Sequence, residues 1–132
     1  VVDGERWPTS EHYFQAQKFL EDDHRETIQQ VASPMIAARM GRSRRWTLRP
    51  DWEAVKNDFM RAAVLAKFTQ HEELRSLLLS TGDAVLVEHT VNDGYWGDGG
   101  DGSGQNMLGE ILMETRERLR AREAPEMNGD SR

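Results

Sequence analysis

Two charged residues near the start of the chain, Glu11 and Lys18, have the types and spacing to do chemistry together. They lie seven residues apart. On a helix that is two turns, so both side chains point the same way, about 10 Å apart along the axis. Helical residues at i and i+7 do not form a direct ion pair, but they can flank a small ligand. Phe14 falls on the same face between them and would partly cover that surface. The plainer alternative is an exposed acid and an exposed lysine on a solvated face.

A second group is basic. Arg39, Arg42, Arg44, Arg45 and Arg49 place five arginines in eleven residues, and Trp46 stands among them. Guanidinium groups grip phosphate in bidentate fashion, and an indole offers a flat face for stacking. As a solvated loop the same segment needs no ligand.

A third group is the loop Asn92 to Gly104. Seven of the eleven glycines fall between Gly94 and Gly109. Three motif readings fail. Gly97-Asp98-Gly99-Gly100-Asp101-Gly102 matches G-x-G-x-x-G literally, but its two aspartates would repel a pyrophosphate and no helix opens directly from it. An EF-hand starting at Asp98 would put glycines where oxygen ligands are needed. A calcium-binding nonapeptide would need an aspartate where Gly104 stands. What survives is more modest. Glycines such as Gly97 let a backbone approach a ligand closely. Tyr95 and Trp96 give aromatic faces, Asp93 and Asp98 give carboxylates, and a helix start near Asn106 could receive an anion. The four histidines, His12, His24, His71 and His89, show no metal-ligand spacing, so no metal is expected. Each reads as structural or exposed.

These groups must be positioned by helices. Pro8-Thr9-Ser10 opens the first, of about 10–13 residues, with Thr9 or Ser10 as N-cap. Its faces are Glu11, Phe14, Gln15, Lys18 on one side and Tyr13, Ala16, Gln17, Leu20 on the other. A second helix is expected from His24 to Ala32. Ser33-Pro34 starts a third that ends near Gly41. A fourth runs from about Trp52 to Phe68 with a stripe of Val55, Phe59, Ala62, Ala63 and Ala66. A fifth spans His71 to Leu79, and Gly82 suits its left-handed terminus. Ala84 to Thr90 is the one clear strand. A last helix, Asn106 to Arg122, presents Leu108, Ile111, Leu112, Thr115 and Leu119 on one face. From Ala124 the composition predicts a disordered tail. Val1-Val2-Asp3-Gly4 reads as a strand entering a turn, whose partner would lie upstream of the first residue; the chain is expected to lack its true N-terminus.

Composition bounds the function. The 132 residues suit one domain. With 17 Lys+Arg against 23 Asp+Glu, the net charge is −6. That balance argues against general adhesion to nucleic acid, though a local basic patch is compatible with it. There is no cysteine, which excludes a disulfide scaffold, a thiolate metal site and a Cys nucleophile. Apolar runs are too short to cross a bilayer, and nothing reads as a signal peptide. A cytoplasmic protein with no membrane partner is expected.

Taken together, the segments resemble the NADAR superfamily of YbiA-like N-glycosidases. The resemblance is carried by Trp7-Pro8-Thr9-Ser10-Glu11-His12-Tyr13-Phe14-Gln15-Ala16-Gln17-Lys18-Phe19, Ala38-Arg39-Met40-Gly41-Arg42, and Trp52 with Lys56, Met60 and Ala66-Lys67-Phe68. It continues through Leu74-Arg75 to Thr81-Gly82, Leu86-Val87-Glu88, Asp93 to Asp98, and Gly104-Gln105-Asn106-Met107-Leu108-Gly109 to Arg116. Members usually carry an upstream strand with a Phe-Ser-Asn-Phe-like motif that helps form the pocket, and this chain lacks it.

The resemblance implies a mainly helical α+β fold, one compact domain over 1–123 with a small β element. It implies cleavage of the N-glycosidic bond between a ribose and a base-like amine, with no cofactor. One branch hydrolyses riboflavin-pathway ribosylamino-pyrimidine phosphates; another removes ADP-ribose from guanine in nucleic acid. A non-catalytic ADP-ribose or nucleotide sensor is a third reading. In the enzyme, positive charge builds on the ribose, so a carboxylate stabilises it. Glu11 is the first candidate, Asp93 or Asp98 the second. Lys18 could instead attack the anomeric carbon and open the sugar as a Schiff base, which requires a pKa lowered by burial or nearby arginines. Trp46, Trp52 or Trp96 would stack on the base, and Arg39, Arg42 or Arg45 would hold the phosphate.

Overall fold

Six helices account for most of the described residues: α1 Ser10–Ala16, α2 Asp22–Gln30, α3 Pro34–Gly41, α4 Trp52–Gln70, α5 Glu72–Ser80 and α6 Met107–Gly129. The structure is a computed structural model that describes residues 1, 2 and 4–129. The chain divides into two compact units, Val1–Lys67 and Phe68–Arg132. No helix among the described residues is long and apolar enough to cross a membrane.

In the first unit α1 packs against α2 and α3, and α2 against α3. Local signals set the helix starts. The Thr9 hydroxyl accepts from the His12 backbone amide, and the Ser33 hydroxyl accepts from that of Ile36, with Pro34 opening α3. Each bond satisfies one of the orphan amides that a helix start leaves. The core here holds Trp7, Tyr13, Phe14, Phe19, Ile28, Ala37 and Trp52.

The opening helix is shorter than its sequence suggests. It ends at Ala16, and Lys18 lies beyond it. Lys18 N–H bonds to Gln15 O and Phe19 N–H to Ala16 O, so the last turn tightens from four-residue to three-residue spacing. Leu20, expected on the same side as Tyr13 and Ala16, is exposed while they are buried. His12 is fully buried and structural. Its Nε2 meets Val31 O at 3.0 Å and its Nδ1 meets Thr9 Oγ1 at 2.7 Å. Since a carbonyl can only accept, Nε2 carries the hydrogen and Nδ1 accepts from the hydroxyl.

In the second unit α5 packs on α6. Gly82 adopts φ +60° after α5, as the helix-stop pattern predicted. Ile111, Thr115 and Leu119 of α6 are buried, and so is Arg116. The Arg116 guanidinium donates to Thr81 Oγ1 at 2.8 Å and Ala84 O at 2.9 Å, tying α6 to the end of α5. α6 extends past the end expected at Arg122; of the expected tail, Asp130, Ser131 and Arg132 lie outside the described residues.

The expected strand Ala84 to Thr90 is a correction. The segment has no strand partner among the described residues. Two side chains and one backbone amide take the partner's place. Asn106 Nδ2 donates to Leu86 O at 2.9 Å, and Glu88 N–H donates to Asn106 Oδ1 at 2.8 Å. Asp98 N–H donates to Glu88 O, and Thr90 N–H to Asp98 Oδ1. A primary amide and a carboxylate thus fill the ladder positions that a neighbouring strand would occupy. At the N-terminus, Val2 and Glu5 form an isolated antiparallel bridge, the one β pairing among the described residues. The small β element is reduced to that.

Candidate functional site

Glu11 and Lys18 do end up on the same side of the first unit, although α1 carries only the first. Lys18 follows the tightened turn after Ala16. Arg49 fixes that turn: its N–H donates to Lys18 O at 2.8 Å, and its Nη1 to Gln17 O at 3.3 Å. Arg49 also pairs with Asp51 at 2.7 Å and lies over the Phe59 ring. Of the five clustered arginines, this one is a structural clamp.

Lys18 is half-buried. Its ammonium lies 5.9 Å from the centre of the Trp52 ring and donates to Gly41 O at 3.4 Å. Burial lowers its pKa from the ordinary lysine value; the Glu11 carboxylate pushes the other way, and Arg42 adds a smaller lowering. An indole face and a backbone carbonyl only partly replace the water that an ammonium loses. Glu11 Oε1 accepts from Gln15 Nε2 at 2.7 Å. Phe14, expected between the two charges on a covered surface, is buried beneath them and packs on Trp52 with ring centres 5.3 Å apart. Trp52 is itself core, tilted on Phe14 and parallel to Phe59.

The basic group resolves into different environments. Arg39, Arg42, Arg44 and Arg45 are exposed. Arg39, Met40, Ser43, Arg45 and Trp46 line a cavity of about 320 Å³. One face of Trp46 is taken by His24, stacked at 4.1 Å and 5°, while Phe19 meets it edge-on.

The glycine-rich loop, within the second unit, is organised by its own carboxylates. Asp93 Oδ1 accepts from the Tyr95 and Trp96 amides, each at 2.8 Å, an Asx turn. Asp98 is buried. Its Oδ1 accepts from Thr90 and Gly100 amides, and its Oδ2 pairs with His89 Nδ1 at 2.7 Å. The His89 bond, followed by the backbone donors, holds the Asp98 carboxyl below its ordinary range; the same bond raises His89. Gly97 is buried where a Cβ would collide with Thr90 and with the carbonyls of Glu88 and Asp93, so its missing side chain serves chain packing. Tyr95 and Trp96 are half-buried and edge-to-face at 4.8 Å. Asn106 has φ +51°, a conformation Asn tolerates, and its side chain is occupied by Leu86 and Glu88. No cluster among the described residues could hold a metal ion.

Sequence reasoning named Gln15, Gly41, His89 and Asn106 but not the contacts by which they build these arrangements; Asn106, read as a helix start that could receive an anion, instead holds Leu86 and Glu88. An i,i+4 search from Glu11 finds Gln15. The contacts of the other three span 9 to 26 residues of chain, which no local pattern reveals.

A family model described as the NADAR domain matches residues 1–120. The N-glycosidase YbiA of Escherichia coli is 65% identical over 118 residues, 89% of this chain and 74% of that protein. The NMR structure of Escherichia coli YbiA superimposes with a TM-score of 0.86 at 63% identity, over 93% of this chain and 73% of that one. An N-glycosidase of Nostoc punctiforme is 45% identical over 117 residues, covering 86% of this chain and 75% of its own. A riboflavin biosynthesis protein of Vibrio vulnificus is 44% identical over 119 residues, 90% of this chain but 32% of that protein. Kinship at this level supports an enzyme of the N-glycosidase class. By the family model and by these identities, the chain belongs to the NADAR family.

Proposed function

We propose that this cytoplasmic enzyme hydrolyses the N-glycosidic bond of a ribosylamino-pyrimidine phosphate, with Lys18 as nucleophile and Glu11 as the carboxylate facing the developing positive charge. One observation carries the reading: an amine made less basic by burial lies over the Trp52 ring and within electrostatic reach of the Glu11 carboxylate. A less basic lysine has more of its neutral, nucleophilic form at neutral pH.

The neutral Lys18 amine bonds to C1 of the ribose as the C1–N bond to the base breaks, and the departing base takes up a proton. Opening of the ring moves a proton from the lysine nitrogen to the ring oxygen and leaves a Schiff base. Water hydrolyses it, restoring the amine and releasing ribose phosphate. Glu11 stabilises the cationic character at C1 as the first bond breaks. Arg39 and Arg45, with Trp46, line the cavity suited to the phosphate, and Arg42 adds charge close to Lys18. The riboflavin-biosynthesis name of the Vibrio relative supports the substrate class.

A second reading, removal of ADP-ribose from guanine in nucleic acid, is favoured by the exposure of Arg39, Arg42, Arg44 and Arg45 together. Incubation of the protein with each glycoside separately, followed by mass spectrometry, decides between them. Release of the pyrimidine amine supports the first. Release confined to the modified oligonucleotide, weakening as salt rises, supports the second and overturns the first.

A further inference from the structure

Gln15 touches Glu11 directly and reaches Lys18 through Gly41. It is 7% exposed. Its Nε2 donates to Glu11 Oε1 at 2.7 Å, while its Oε1 is buried with no hydrogen-bond partner among the described residues. A buried amide oxygen without a donor is unfavourable, and nearly all such groups in folded proteins are satisfied. A leucine or methionine would fill the same space without that cost. The amide is therefore explained by its one bond, to Glu11.

Gly41 makes room for it. A Cβ at Gly41 would fall onto the Gln15 amide, so a side chain at the end of α3 would displace it. The carbonyl of the same glycine accepts from the Lys18 ammonium. One residue thus seats the group that holds Glu11 and receives the group that neighbours it.

We propose that Gln15 is a positioning residue: seated on Gly41, it holds one oxygen of Glu11 and fixes the direction of the carboxylate toward the reacting sugar. This rests on Glu11 being the carboxylate of the reaction. An i,i+4 pair on a half-exposed face otherwise leaves a glutamate free to turn among rotamers, and each misdirected rotamer is an unproductive encounter.

The test is a double-mutant cycle on base release, using whichever of the two glycosides the wild-type protein cleaves. Gln15→Met keeps the volume and removes the amide; Gln15→Asn keeps an amide too short to reach. Both are expected to lower kcat about 10- to 100-fold with KM unchanged, the range for losing one hydrogen bond to a charged group. In a Glu11→Gln background, Gln15→Met should change kcat less than twofold, because the group it positions is already gone. Gly41→Ala should cost a similar factor alone and nothing further in a Gln15→Ala background, where the new methyl has space. Wild-type kcat in Gln15→Met, or losses that multiply in the Glu11→Gln background, would overturn the positioning role while leaving Glu11 in place. Full activity of Glu11→Gln alone would remove the carboxylate reading itself, and this inference with it.

Discussion

The Lys18 ammonium lies over the Trp52 ring, 5.9 Å from its centre, although the helix that leads to Lys18 ends two residues earlier. The amine is thereby held in a partly dry place between an indole face and the Gly41 carbonyl. Its lowered pKa follows from that burial.

Lys18→Ala is expected to abolish borohydride trapping of a sugar adduct and to reduce base release by about three orders of magnitude, the range for losing a covalent catalyst and its bound geometry. Hydrolysis at the wild-type rate in this variant would remove the Schiff-base route.

The pH dependence has a definite sign. The reactive form is the neutral amine, so trapping rises with pH through the Lys18 pKa, and the lowered pKa moves that rise to lower pH than for an ordinary lysine. Arg42 lowers the pKa and Glu11 raises it. Arg42→Ala should therefore shift the rise to higher pH, and Glu11→Gln to lower pH. Borohydride trapping measured across pH 6–10 for the three proteins reads both shifts; shifts in the same direction would contradict the geometry.

If Arg39 and Arg45 hold the substrate phosphate, Arg45→Ala should raise KM roughly 10-fold with kcat little changed. The effect should vanish on the dephosphorylated glycoside. Steady-state kinetics on the two substrates makes the comparison.

His89 and Asp98 form an ion pair whose window follows from their shifts. His89 is raised, so its contribution is present at low pH and lost as pH rises through its folded-state value. Asp98 is lowered, so its contribution is present above the ordinary aspartate range and lost as pH falls through its own folded-state value. The pair holds the loop between those limits. In Asp98→Asn the His89 titration, followed by NMR, should return toward an ordinary histidine, and the Thr90 and Gly100 amides should exchange faster with solvent.

Gly109→Ala should destabilise the second unit by about 1–3 kcal/mol. A Cβ there would meet the Leu86 carbonyl and the Asn106 amide, the two groups that bind the 86–88 segment to α6. Urea unfolding, compared with Gly94→Ala in the same unit, where a Cβ meets nothing and φ is not positive, separates the collision from the loss of a glycine.

The helices were legible because their signals are local. Ser33-Pro34 capped α3 where expected, and Gly82 took the left-handed conformation that ends α5. The end of α1 was not legible. Nothing in Gln17-Lys18-Phe19 breaks a helix; the chain leaves because Arg49, about thirty residues on, captures the carbonyls of Gln17 and Lys18. The strand at Ala84 to Thr90 failed for a similar reason. Its β-branched residues favour an extended chain, and the segment forms neither helix nor strand. Whether an extended chain becomes a strand depends on what pairs with it, and here the partners are the side chains of Asn106 and Asp98 and the Asp98 backbone amide.

By itself, the order of residues determined the family, the helical class and the identity of an acid and an amine seven positions apart, since each rests on short-range spacing or on the chain of motifs. Tertiary packing alone decided that the amine would be half-buried over Trp52, that Gln15 would take hold of Glu11, and that Asp98 would serve its own loop. Desolvation and hydrogen-bond partnership are set by whatever segments fold against a side chain, and those segments are distant along the sequence.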